Sequence, residues 1–193
     1  SSCTSKCGPL VGYMMKGLDV QSNTNLSDTA APVIIYEDDA IIVVEKPSGM
    51  PSVPGLDGRQ SLQEWLHIHA VHRLDMDTSG VMVFAKTQLA AVNLRRQFEE
   101  HTVRKIYMAK VSARFRSLPT QSESKGNRLA SIDLPLSPDY DERPRQKVDF
   151  KQGKEAHTEY EIIKEYADGT ADLLLYPHTG RTHQLRVHCA HTL

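Results

Sequence analysis

VHRLDMDTSG, residues 71 to 80, crowds His72, Arg73, Asp75 and Asp77 into six positions ahead of the strand-like VMVFAK of residues 81 to 86. Four ionisable groups so close together, closed by a Thr-Ser-Gly turn, build a core badly and a site well. Asp and Gly favour loops, whereas the β-branched and aromatic run that follows favours a strand. The spacing therefore predicts a carboxylate-bearing loop pinned against a sheet. Rigid placement beside a scaffold strand is what a nucleophile or general base needs.

Outward from that loop, composition narrows the class. The 193 residues are 39% hydrophobic and 24% charged, as expected of a globular domain with a real core. No run approaches the ~18 apolar residues of a membrane span, so no membrane partner is expected. GPLVGYMM near the start is short and lacks the charged lead of a signal peptide. Cys3, Cys7 and Cys189 form no even disulfide framework, which fits free thiols in a reducing cytoplasm. Net charge is −1, but residues 95 to 154 carry 14 Lys and Arg against 8 Asp and Glu. That local excess suits phosphate contacts and equally an ordinary solvated surface.

In chain order, residues 1 to 31 read as a linker or the tail of an upstream region, with SNTNLSDTAAP running into Pro32. VIIYEDDAIIVV predicts two strands joined at an Asp-Asp turn, followed by the Pro/Gly-rich KPSGMPSVPG, which lacks the GK[ST] ending of a phosphate-binding loop. SLQEWLHI predicts a helix with Leu62, Trp65 and Leu66 inward. Thr87 is a cap for a second helix to about His101, with Leu89, Val92 and Phe98 inward and Arg95 and Arg96 outward. RKIYMAKV predicts a strand with Tyr107 and Ala109 on one face. SESKGN reads as a turn. TEYEIIKEY and TADLLLYP predict a hairpin through Ala167-Asp168-Gly169. A turn at Gly180 leads into a helix presenting His183, Gln184, Arg186, His188 and His191. Those His residues with Cys189 do not fall on one helical face, so no metal is expected there.

Asp77-Thr78-Ser79-Gly80 looks like an aspartic-protease signature, but that chemistry needs two carboxylates sharing a proton, and no second copy occurs. Asp75-Met76-Asp77 looks like a phosphatase-type DxD, but His72 and Arg73 interrupt the apolar strand that would precede it. The full string H-R-L-D-x-x-T-S-G resembles the active-site motif of RluA-type pseudouridine synthases. Further strings resemble that family in order: K-P-x-G from Lys46, K-x-Y-x-A around Tyr107, L-P-L at residues 134 to 136, R-P-x-Q-x-V at 143 to 148, G-K-x-A-x-T-x-Y at 153 to 160, and T-G-R-x-H-Q-L-R-x-H at 179 to 188.

The resemblance covers about Val33 to His191. It implies a mixed α/β (α+β) pseudouridine synthase fold, a largely antiparallel sheet with flanking helices and a central active-site cleft, over a catalytic domain of residues 32 to 193. Relatives usually continue past the last motif with a G-D-x-x-Y turn, so a C-terminally incomplete domain is expected. The implied activity is isomerisation of uridine to pseudouridine in ribosomal RNA or tRNA, without metal or organic cofactor, by a cytoplasmic monomer. Asp75 is the implied catalytic carboxylate, with Arg73, Tyr107 and Arg186 as substrate-binding residues and Arg186 paired with Asp75. Arg143, Arg145 and Arg181 are expected RNA contacts. A non-catalytic RNA-binding protein on the same fold is the alternative.

Overall fold

The structure is a computed structural model that describes residues 10–11, 31–56, 58–112, 129–140 and 145–192. Arg143, Cys3, Cys7, the residue 122–127 turn and most of the N-terminal linker lie outside the described residues. The chain divides into two compact units, Val11–Val103 and Arg104–Leu193 with Ser1–Leu10.

In the first unit, strands β2 (Val33–Glu37), β3 (Ile41–Lys46) and β4 (Gly80–Ala85) form an antiparallel sheet with β3 central. The Asp-Asp turn closes as the sequence predicts. The Asp38 carboxylate accepts from the N–H groups of Ala40 and Ile41 at 2.7 and 2.8 Å, which holds its own pKa below the usual carboxylate range. Period-two alternation buries Ile42 and Val44 on β3 opposite Phe84 and Met82 on β4. Helix α1 (Leu62–Leu66) opens with a capping box: Ser61 Oγ accepts from the Glu64 N–H, and the Glu64 carboxylate accepts from the Ser61 N–H. Helix α2 (Gln88–Glu99) starts at Thr87, whose hydroxyl oxygen accepts from the Ala90 N–H.

Three inward assignments fail here. Leu62 is buried, but Trp65 is exposed. On α2, Leu89 and Val92 are exposed at 74% and 53%, and no residue of the helix is buried. Phe98 alone of the expected stripe finds an aromatic partner, stacked on the His72 ring with centroids 4.3 Å apart.

A five-stranded sheet runs in the order β1 (Leu10–Val11, at the division between the units), β5 (Tyr107–Ser112), β10 (Thr170–Pro177), β9 (His157–Glu165), β6 (Ala130–Asp133), the last four within the second unit. A two-stranded pairing of β7 (Leu136–Pro138) with β8 (Gln146–Val148) and the helix α3 (Gln184–Thr192) complete that unit. The β2–β3, β3–β4, β5–β10, β10–β9, β9–β6 and β7–β8 pairings are all antiparallel. The β9–β10 hairpin turns where predicted, with Asp168 accepting from the Thr170 N–H and hydroxyl. One sheet face forms the core with Ala109, Val111, Ile132, Tyr160, Leu173 and Leu175, onto which Leu185 and Cys189 of α3 pack. Gly153 permits a backbone crossing: a Cβ there would lie 2.3 Å from the Asp149 carbonyl oxygen and 2.8 Å from the Pro135 carbonyl carbon.

Candidate active site

The 71–80 loop is held at several points through its backbone. Asp75 and Thr78 close a turn, the Thr78 N–H donating to the Asp75 carbonyl at 3.0 Å. Leu74, beside Asp75, is buried, an anchor of about 2 kcal/mol. Its N–H donates to Ser52 Oγ at 3.0 Å, and that hydroxyl donates to the Leu74 carbonyl at 2.7 Å. Ser48 Oγ donates to the Asp77 carbonyl at 2.8 Å, and the Gly49 N–H to the Met76 carbonyl at 3.0 Å. At the base of the loop, His72 Nε2 accepts from the Val83 N–H at 3.0 Å, which selects the Nδ1–H tautomer when the ring is neutral.

Beneath the turn sits Lys46. Strand alternation carries it inward after Ile42 and Val44, and its side chain is fully buried. Its ammonium donates to the carbonyls of Pro47, Met50 and Met76 at 2.9, 2.7 and 2.9 Å. All three hydrogens are used. Burial pushes this group down to about 8, opposed by the negative charge of Asp77 and Asp75. One buried cation thus ties the Pro/Gly-rich loop to the turn that carries Asp75. Asp75 itself is half-buried and Arg73 exposed.

In the second unit the arginine-bearing turn is built around Gln184. Its Oε1 accepts from the Thr179 hydroxyl at 2.7 Å and the Arg181 N–H at 3.0 Å. Its Nε2 donates to the His157 carbonyl at 3.1 Å and to Thr158 Oγ1 at 2.9 Å. The buried Thr158 hydroxyl also meets His188 Nδ1 at 3.0 Å, while His188 Nε2 meets the Leu134 carbonyl at 3.0 Å. The carbonyl can only accept, so Nε2 carries the hydrogen and Nδ1 accepts from Thr158. Burial lowers the His188 pKa, in keeping with that neutral ring. Arg186 leaves α3 half-buried, two residues beyond Gln184. Tyr107 is half-buried at the start of β5, packed against the core cluster and paired in register with Leu175.

The family description for RNA pseudouridylate synthase matches residues 40–191. This chain belongs to that family. The dual-specificity RNA pseudouridine synthase RluA of Escherichia coli strain K12 is 45% identical over 163 residues, covering 81% of this chain and 70% of the relative. Its namesake in Yersinia pestis is 43% identical over 163 residues, with 81% and 74% covered. Among solved structures, human RNA pseudouridylate synthase domain containing 1 matches with a TM-score of 0.66 and 27% identity over 86% of this chain and 67% of that one.

Within this pseudouridylate synthase chain, Arg73 and Asp75 fall in the first unit, and Tyr107, Arg145, Arg181 and Arg186 in the second. Arg145 and Arg181 are exposed. Arg181 also donates from Nε to the Glu155 carbonyl at 3.0 Å, so part of its guanidinium is spent on the protein. Lys147 is exposed and ion-paired with Asp139 at 3.4 Å. Of the residues the last helix was expected to present, His183 precedes α3, and Gln184 and His188 are buried. Lys46, Ser52, Thr158 and Gln184 were not expected as site residues. For Lys46 the signal was present in the sequence, as the third inward position of IIVVEK.

Proposed function

We propose that this chain converts uridine to pseudouridine in structured RNA, with Asp75 as the catalytic carboxylate. The observation that carries the reading is the Asp75 turn, whose backbone is clamped by Lys46, Ser48, Gly49 and Ser52 so that a half-buried carboxylate is held on a rigid base. The reaction breaks the N1–C1′ bond, turns the uracil and rejoins it through C5. A carboxylate acting at the ribose or the ring serves it, and no organic cofactor is needed. Arg186, by the family motif, pairs with Asp75 and keeps it ionised. Tyr107 stacks on the target uracil and assists the last proton transfer at C5. Extruding that base costs a few kcal/mol, and Arg73, exposed beside Asp75, fills the gap or grips a phosphate. Arg143, Arg145 and Arg181 supply further phosphate contacts.

The substrate class is ribosomal RNA or tRNA stem-loops, in keeping with the dual-specificity names of the relatives, and the protein acts as a cytoplasmic monomer. No described helix is long and apolar enough to cross a membrane.

The test is tritium release from RNA carrying 5-tritiated uridine, with Asp75→Asn alongside. Wild-type protein is expected to release tritium. Asp75→Asn is expected to release none, while its RNA affinity stays within about tenfold, since the amide is nearly isosteric but cannot act as nucleophile or base. Near wild-type turnover by Asp75→Asn overturns the assignment, and a silent wild type leaves an RNA-binding protein.

A further inference from the structure

The outer face of the five-stranded sheet, away from α3, carries a cluster that the isomerisation leaves unused. Alternation along β9 sends Thr158 and Tyr160 into the core, so His157 and Glu159 lie on the opposite face. Register sets Asp133 of β6 opposite His157. The His178 N–H donates to the His157 carbonyl at 3.0 Å, which places His178 across from His157 just past the end of β10. Three neighbouring strands therefore align Asp133, His157 and His178 in one row, with Glu159 two residues along β9.

The side chains converge. The rings of His157 and His178 have centroids 4.7 Å apart. His178 Nε2 lies 2.7 Å from the Glu159 carboxylate, and His157 Nδ1 is hydrogen-bonded to Asp133. One ligand atom each from His157, Glu159 and His178 all lie within 4.8 Å of one another. Ion pairs between such exposed groups contribute only about 0–1 kcal/mol, too little to account for gathering two imidazoles and two carboxylates on one row of a sheet.

We propose that His157, Glu159 and His178 form a binding site for a divalent transition-metal ion of the zinc class. Two imidazoles and one carboxylate are borderline ligands that suit Zn²⁺, whereas Mg²⁺ and Ca²⁺ take sets of oxygens. Ligands about 2.1 Å from a tetrahedral ion stand roughly 3.4 Å apart. The widest separation closes to that value by about 1.4 Å of movement shared between half-exposed side chains. A fourth position is left to water. Whichever His157 nitrogen takes the ion, Asp133 is within reach, as acceptor of the Nδ1–H or as a further oxygen ligand. The ion takes no part in the isomerisation. It lies across the sheet from α3 and braces β9 against the end of β10, where the Thr179–Arg181 turn begins.

Calorimetric titration of the full chain with Zn²⁺ tests this independently of pseudouridine formation. One Zn²⁺ per chain is expected for the wild type, weakening as pH falls because imidazole ligates only when neutral. The event is expected to vanish in the His157→Ala/His178→Ala double variant and to weaken about 10- to 100-fold in Asp133→Asn. Circular dichroism confirms that each variant is folded, and Asp133→Asn keeps the test valid if the double variant is not. A wild type without a one-to-one event overturns the proposal. So does an event of undiminished affinity in the folded double variant or in Asp133→Asn, which assigns the ion to other histidines or cysteines.

Discussion

Replacing Lys46 by Met separates what the buried ammonium does for the fold from what it does for the loop above it. Holding the charge inside is costly: a pKa brought from 10.5 down to about 8 corresponds to roughly 3 kcal/mol. Met fills similar space and removes that cost, but strips the donor from the carbonyls of Pro47, Met50 and Met76. Met76 keeps the Gly49 N–H. The other two lose their ammonium hydrogen, at about 1–3 kcal/mol each. The two effects nearly cancel, so urea unfolding should place Lys46→Met within about 3 kcal/mol of wild type. Catalysis has no such compensation, because the link between the Met76 carbonyl and the sheet is cut. Displacement of a reacting group by about 1 Å costs on the order of 100-fold in rate, and single-turnover tritium release should fall by about that much with RNA affinity little changed. There is a pH signature as well. Between about pH 8 and 10.5 the unfolded chain keeps a proton that folded Lys46 releases, so wild-type stability should rise with pH across that window and the Met variant should lack that rise. A wild-type rate in Lys46→Met refutes the positioning role, and a stability loss well beyond 3 kcal/mol shows that the lysine is chiefly a fold element.

The other expectations are more local. Tyr107→Phe should bind substrate stem-loops more tightly than Tyr107→Ala by about 1–3 kcal/mol in filter binding, the value of stacking on a base; equal affinities would show that the ring does not touch it. Gly153→Ala should lower stability by about 3 kcal/mol in urea, since its Cβ meets backbone at 2.3 Å and no side chain can swing away. An unshifted midpoint would mean that this crossing is loose. His188, with its pKa lowered by burial, takes its proton later than the unfolded chain does, so its effect is absent above about pH 6.5 and stability is lost as pH falls below that. Urea midpoints measured between about pH 7.5 and 5 should fall less steeply in His188→Gln than in wild type; identical slopes would remove His188 as a cause.

What the sequence revealed depended on which rule each residue obeys. Local chemistry was legible. The Asp38 turn, the Thr87 cap and the Asp168–Gly169 hairpin each rest on a side chain bonding its own neighbourhood, and all form where expected. The loop character of residues 71 to 80 was legible from the turn preferences of Asp and Gly. Periodicity served less well, because it sorts residues by polarity alone. It sent Trp65, Leu89 and Val92 inward, where the structure leaves them exposed, and it gave no sign that Gln184 and His188 of the last helix are buried. Polar side chains are buried when partners distant in sequence satisfy them. Gln184 finds such partners in His157 and Thr158, 27 and 26 residues away. Lys46 needed Met76, 30 residues on. No window of sequence shows pairs like these.

The Gln184 network bears on how chains of this kind are told apart. Gly153 clears a backbone crossing, Thr158 and Gln184 satisfy one another in the core, and His188 completes the set. The strings G-K-x-A-x-T and T-G-R-x-H-Q-L-R-x-H are therefore in large part folding instructions. A descendant that had lost the Asp75 carboxylate would still need Gly153, Thr158, Gln184 and His188 to stay folded, and would still be recognised by them. Catalytically silent members of such a lineage would be found at the one aspartate and not in the longer, louder motifs around it.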